Sequence, residues 1–218
     1  MPKRFDLIVF DWDGTLFDST ALIVNSIRAA AQDLGLVVPS PEQASYVIGL
    51  GLVEALQHAL PGLPQQRYGE LVQRYRHHYF AKSHEVTLFE GVPDLLQALK
   101  AQHHWLAVAT GKSRRGLDEA LQTVGLDRLF DATRTADETA SKPDPRMLLE
   151  LMREFGADPE RTLMIGDTTH DLQLARNAGC PALAVTYGAH DPEALHALEP
   201  LLVASDVSSL QGWLLQHA

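Results

Sequence analysis

One cysteine, Cys180, is all that the 218 residues contain. No internal disulfide can form, which suits a reducing compartment and leaves the fold to its core. Cys180 lies between Gly179 and Pro181 in an apolar stretch and reads as core filler, not as a reactive thiol. Basic residues are also scarce: 18 Lys and Arg face 28 Asp and Glu, a formal charge of −10. That balance argues against nucleic acid or an anionic membrane as partner, since both need a clustered basic face. A small anion remains admissible, because one local pocket can oppose the global field. Long hydrophobic runs are missing as well. The first, Leu7 to Phe10, stops at Asp11, too short for a signal-peptide core. Nothing approaches the ~18 apolar residues that cross a bilayer. Repeats and low-complexity tracts are absent, which excludes solenoids and collagen-like chains. The expectation is a soluble cytoplasmic protein, monomer or homodimer, formed by one large domain or a domain with an insert.

What the sequence does have is a set of short apolar runs. Leu7–Phe10, Trp105–Ala109, Thr162–Ile165 and Ala182–Val185 are apolar at nearly every position, as in parallel strands covered on both faces. Helical spacing falls between them: Leu95, Leu96 and Leu99; Leu117, Leu121 and Val124; Leu148, Leu149 and Met152. This alternation predicts an α/β fold with a doubly wound, Rossmann-like parallel sheet and a ligand at the strands' carboxyl ends. From about Thr20 to Glu90 the pattern is helical only, punctuated by Pro39, Pro41, Pro61, Gly62 and Pro64. Such a segment reads as an inserted all-α lid. The division is a core of residues 1–17 and 90–218, with a helical cap of residues 18–89. Leu201–Val203 is a candidate last edge strand, and the stretch 188–218 suggests no function of its own.

Several near-motifs fail on inspection. Gly49-Leu50-Gly51 lacks the third glycine and the preceding strand of a dinucleotide loop, and reads as a flexible corner between helices. Gly111-Lys112-Ser113 resembles the end of a P-loop, but Leu106 stands where its first glycine belongs. The pairs His77-His78 and His103-His104 lack metal-ligand spacing and read as surface residues, and nothing requires His170 as a ligand.

The chemistry lies elsewhere. Asp11-Trp12-Asp13-Gly14-Thr15-Leu16-Phe17-Asp18-Ser19 leaves the first strand with two carboxylates that project to one side. Gly14 permits a tight turn there, and exposed N–H groups around Gly14 and Thr15 suit an anion. The plainer alternative is an acidic turn in which Asp18 or Ser19 caps a helix. A second acidic pair, Asp167 and Asp171, leaves the third strand, and the two strand ends converge on one crevice. Carboxylates packed together need a cation, and an oxygen-rich site suits Mg2+. Thr110 and Gly111 end the second strand with a hydroxyl and an N–H, and Lys142 sits in Ser141-Lys142-Pro143. Beside a phosphoryl group, that lysine would neutralise developing charge.

These four segments, in this order, resemble the signature motifs of the haloacid dehalogenase superfamily, and the insert resembles its α-helical cap. The resemblance runs from Phe5 to about Ala189. It implies Asp11 as the nucleophile that forms an aspartyl-phosphate and Asp13 as the general acid/base. Thr110 and Lys142 would hold the phosphoryl group, with Gly14, Thr15, Gly111 and Lys112 in contact with substrate. Asp11, the main-chain carbonyl of Asp13 and Asp167 would bind Mg2+, supported by Asp171. The family's dehalogenating branch lacks the second aspartate, so the resemblance favours a phosphatase acting on a small phosphate ester. The phosphoglycolate phosphatase-like branch is the most similar, although Gly111 replaces its common asparagine. Arg74, Arg76 and Lys82 are candidate readers of an acidic substrate, or else a solvated helix face. A phosphosugar mutase of the same fold and a non-catalytic binding protein are the alternatives.

Overall fold

The structure, a computed structural model, describes residues 4–218. It opens with strand β1 (Leu7–Phe10) and four helices: α1 (Thr20–Asp33), α2 (Pro41–Tyr46), α3 (Leu52–Ala59) and α4 (Tyr68–Lys82). Then follow α5 (Val92–Ala101), β2 (Trp105–Thr110), α6 (Arg114–Thr123), β3 (Ala132–Thr135) and α7 (Arg146–Phe155). The chain ends with β4 (Thr162–Gly166), α8 (Thr169–Ala178), β5 (Ala182–Val185), α9 (Pro192–His196), β6 (Val203–Ala204) and α10 (Val207–His217).

The strands form one parallel sheet in the order β3-β2-β1-β4-β5-β6. Its period-two alternation explains why the strands are apolar throughout. Ile8, Phe10, Leu106, Val108, Leu163 and Ile165 face one layer, with side chains of α5, α6 and α10. Leu7, Val9, Ala107, Ala109 and Met164 face the other, with α7 and α8. The fold is the expected doubly wound α/β sheet. Chain direction across the sheet reverses between β1 and β4, and a crevice opens at such a point outside the carboxyl ends.

One strand escaped the sequence analysis. Ala132–Thr135 is Ala-Thr-Arg-Thr, mostly half-buried, because β3 is an edge that pairs only with β2. An edge strand needs no apolar run. The last strand forms slightly later than expected, as the two-residue β6.

Helices α1 to α4 pack around apolar residues of their own, with Ile27, Leu56 and Leu71 at most 1% exposed. Helix α2 starts at Ser40, whose hydroxyl accepts from Gln43 N–H while the Gln43 side chain accepts from Ser40 N–H. Two antiparallel connections join these helices to the sheet: Asp18 N–H donates to Thr87 O at 3.0 Å, and Phe89 N–H to Leu16 O at 3.0 Å. On the far side, Tyr46 O accepts from Nε2 of both His170 and His190, each at 2.9 Å. Burial holds both imidazoles below their usual pKa, so they are neutral near pH 7.

The paired histidines need correction. His104 is not a surface group: it is 2% exposed, with Nδ1 2.9 Å from Phe5 O at the start of β2. His78 is half-buried and meets Asp33 at 2.8 Å, leaving His77 and His103 exposed. Cys180 sits in the α7/α8 layer as expected, and burial pushes its thiol up to about 12. The folded protein is therefore expected to resist Ellman's reagent at pH 8 and to release one equivalent only in denaturant. Stoichiometric labelling of native protein within minutes would contradict that burial.

Candidate active site

Asp11 follows the last residue of β1, and its N–H donates to Ile165 O of β4 at 2.8 Å. The main chain is thus pinned between the two strands where the crevice opens. Trp12 turns the other way into the core, against Phe17. The Asp11 carboxylate is 1% exposed, and its Oδ1 accepts from Lys142 Nζ at 2.5 Å. Its Oδ2 is buried without a hydrogen-bond partner. Lys142, fully buried, also donates to Asp171 Oδ1 at 2.6 Å. The other oxygen of Asp171 accepts from Thr168, from the hydroxyl at 2.6 Å and the N–H at 3.1 Å, in a capping box that starts α8. Asp167 accepts from Thr15 Oγ1 at 2.8 Å and from Ala189 N–H at 2.7 Å.

Asp11, Asp167 and Asp171 each bring one oxygen within 4.8 Å of the others. Burial raises the Asp11 pKa well above the usual carboxylate range. Lys142 opposes that shift, and the Asp171 and Asp167 charges add to it. Asp167 is pushed up to about 7, first by burial and then by the Asp171 charge. Burial alone would depress the Lys142 ammonium, but Asp11 and Asp171 outweigh it and raise its pKa, so it stays charged. Lys142 pairs with only two of these three buried carboxylates, Asp11 and Asp171. Together with the partnerless Oδ2, this hard oxygen set fits a divalent cation.

Asp13 lies apart from that cluster. Its carboxylate accepts from Ser19 Oγ at 2.6 Å and meets Lys112 Nζ at 3.0 Å. Its side chain is therefore no part of the acidic set, and only its main-chain carbonyl is left as the implied ligand. Ser19 is the N-cap of α1 by position, yet its side chain caps nothing and serves Asp13 instead. That settles the capping alternative against Ser19.

The turn after Asp13 also differs from expectation. Gly14 N–H donates to Phe17 O at 2.8 Å and Thr15 N–H reaches Trp12 O at 3.4 Å, so neither is a free anion donor. The glycine matters for space: with φ of +87°, a Cβ there would stand 2.2 Å from Asp167 Oδ2. Thr110 is 1% exposed at the end of β2, and its hydroxyl accepts from Lys112 N–H at 3.2 Å. At Gly111, a Cβ would come within 2.3 Å of Leu50 O and 2.5 Å of Gly49 O. The 49–51 segment, expected as a loose corner, instead presses on the crevice, and Gly51 N–H donates to Ser141 Oγ at 2.9 Å. An asparagine at 111 has no room here.

Lys112 Nζ additionally lies 3.0 Å from Tyr79 OH on α4, over that ring. Arg74, Arg76 and Lys82 are all exposed on α4, and of the three only Arg76 lines the adjoining cavity. Thr168, Tyr79 and the Ala189 amide are partners of the site that were not expected from the sequence. Only Thr168, two residues beyond the end of β4, carried a local signal.

Residues 8–185 match the family model described as haloacid dehalogenase-like hydrolase. A protein named "Probable phosphatase IndB" from Dickeya dadantii is 37% identical over 216 residues, covering 94% of this chain and 92% of that one. A phosphoglycolate phosphatase from Aliivibrio fischeri is 33% identical, covering 96% of each. The crystal structure of a predicted phosphoglycolate phosphatase from Haemophilus somnus superposes with a TM-score of 0.86 at 28% identity, covering 97% of this chain and 99% of that one. The chain belongs to the haloacid dehalogenase-like hydrolases and is an enzyme of that class. No helix among the described residues is long and apolar enough to cross a membrane.

The Lys142 ion pairs should dominate the local energetics. Replacing Lys142 with Met leaves buried carboxylates without their cation and should cost about 3–5 kcal/mol in urea unfolding with EDTA present. A loss below ~1 kcal/mol would mean that the cluster neutralises itself by taking up protons.

Proposed function

We propose that this protein is a Mg2+-dependent phosphatase that hydrolyses a small phosphate monoester through an aspartyl-phosphate on Asp11. The observation that carries this is the asymmetry of the Asp11 carboxylate. Lys142 orients one oxygen, and the other is desolvated and unpartnered in the crevice.

Asp11 attacks phosphorus, the bond to the ester oxygen breaks, and Asp13 gives its proton to the departing alcohol. Asp13 then takes a proton from water as that oxygen attacks the acyl phosphate. Inorganic phosphate leaves and the Asp11 carboxylate is restored. Splitting the displacement in two makes each step easier. Lys142 and the Thr110 hydroxyl would face the phosphoryl oxygens, where fixed positive charge and donors act most strongly. Ser19 and Lys112 aim the Asp13 carboxylate. Asp11, Asp167 and the main-chain carbonyl of Asp13 would hold Mg2+, with Asp171 in support through Lys142. When bound, the ion supplies neutralisation of the negative phosphoryl oxygens. The helices of residues 18–89 would act as the cap that excludes water from this crevice. Gly14 and Thr15 serve the site by space and by the bond to Asp167, while Gly111 and Lys112 border the substrate.

Phosphate release from a panel of small esters, phosphoglycolate included, is expected with Mg2+ and should vanish with EDTA. Asp11→Asn should lower turnover by on the order of 10^3-fold or more while remaining folded. Wild-type rates in that variant would sink the assignment of the nucleophile.

A further inference from the structure

A cavity of about 410 Å³ opens between the helical insert and the sheet. It reaches Asp13, Gly111 and Lys112, while Asp11, Lys142 and Asp167 do not line it. On the mechanism proposed above, Asp13 protonates the departing alcohol, so this cavity lies on the leaving-group side. Its chemistry should therefore match the alcohol. The walls are Ile23 and Ile27 of α1, Ile48 and Leu50 of the connecting segment, and Val72 and Tyr79 of α4.

The charges around it point the same way. Asp13, Glu54 and Asp137 are the acids on its lining, against Lys112 and Arg76. Lys112 is already held by Asp13 and Tyr79, and Arg76 is exposed, so no buried cation stands free for a carboxylate. Burial raises the phenol pKa values of Tyr75 and Tyr79, which therefore stay neutral and add no charge. A two-carbon acid such as glycolate would face like charges and leave most of the volume unfilled. The volume lies in the range, roughly 300–1,000 Å³, of sites that enclose a whole organic ligand.

We propose that the preferred substrate is a phosphate monoester of a bulky, largely apolar alcohol, lodged in this cavity beside Asp13. The inference rests on the phosphatase reading but concerns only the organic part of the ester.

Two arms test it on the Mg2+-loaded enzyme. In the first, kcat/KM is compared for 3-phenylpropyl phosphate, ethyl phosphate and phosphoglycolate. The first two release primary alcohols of similar basicity, so intrinsic reactivity does not decide their order. Burial of the phenyl group predicts a preference on the order of 10–100-fold for the phenylpropyl ester over each of the others. In the second arm, calorimetry compares 3-phenylpropylphosphonate with ethylphosphonate, which bind without turnover, and the same preference is expected. Val72→Asn, which puts an amide on the cavity wall, should lower the preference in both arms, with thermal melting as the check on folding. Phosphoglycolate or ethyl phosphate hydrolysed as well as the phenylpropyl ester would overturn the inference, as would equal phosphonate affinities. If none of the esters is hydrolysed, the phosphatase reading fails, and the phosphonate arm still decides what the cavity accepts.

Discussion

The burial of Lys142 between Asp11 and Asp171 is the contact on which the rest of the site depends. An unpaired ammonium or carboxylate at such depth would cost several kcal/mol, so neither partner could be there without the other. The arrangement needs three distant stretches of chain to meet: the end of β1, the loop before α7 and the first turn of α8. The sheet order supplies that meeting. With β1 and β4 adjacent and the winding reversed between them, Asp11 and Asp167 emerge side by side. Thr15, Thr168 and the Ala189 amide then fix the remaining oxygens. The one oxygen left over, Asp11 Oδ2, is buried without a hydrogen-bond partner.

The helical insert is tied to this centre by close backbone approach as well as by side chains. Gly111 lies against the carbonyls of Gly49 and Leu50, and Gly51 donates to Ser141 next to Lys142. Lys112 reaches from the end of β2 to both Asp13 and Tyr79 of α4. The proposed acid/base is thus held from the sheet side and the helical side together. This is a physical reason for any movement of the insert to be felt at Asp13 before it is felt at Asp11, whose hydrogen bonds run to Lys142 and Ile165.

Much of this was legible in the sequence because buried strands and buried acids leave plain marks. Four apolar runs marked the central strands, and Asp11, Asp13, Asp167 and Asp171 stood out as acids at or just beyond their ends, whereas Lys142 lay in a loop and drew notice only as a cation beside a phosphoryl site. What escaped detection follows a common rule. The edge strand β3 pairs with β2 alone and is mostly half-buried, so it tolerates polar residues and no hydrophobic period marks it. Ser19 looked like a cap because caps and hydrogen-bond donors to carboxylates use the same residue type. His104 looked exposed beside His103, yet the two differ by a single step from the helix end into the sheet. The amides near Gly14 were expected to be free because a sequence cannot show that Trp12 and Phe17 carbonyls already accept from them. Long-range partners such as Tyr79 and Ala189 have no local signal at all.

The central claim is covalent: phosphorus is transferred to one carboxylate. Acid quenching during turnover, followed by peptide mapping, tests it most directly. The account predicts a phosphoryl adduct on Asp11 that is lost in Asp11→Asn. An adduct on another residue, or steady turnover with no adduct at any quench time, would contradict it.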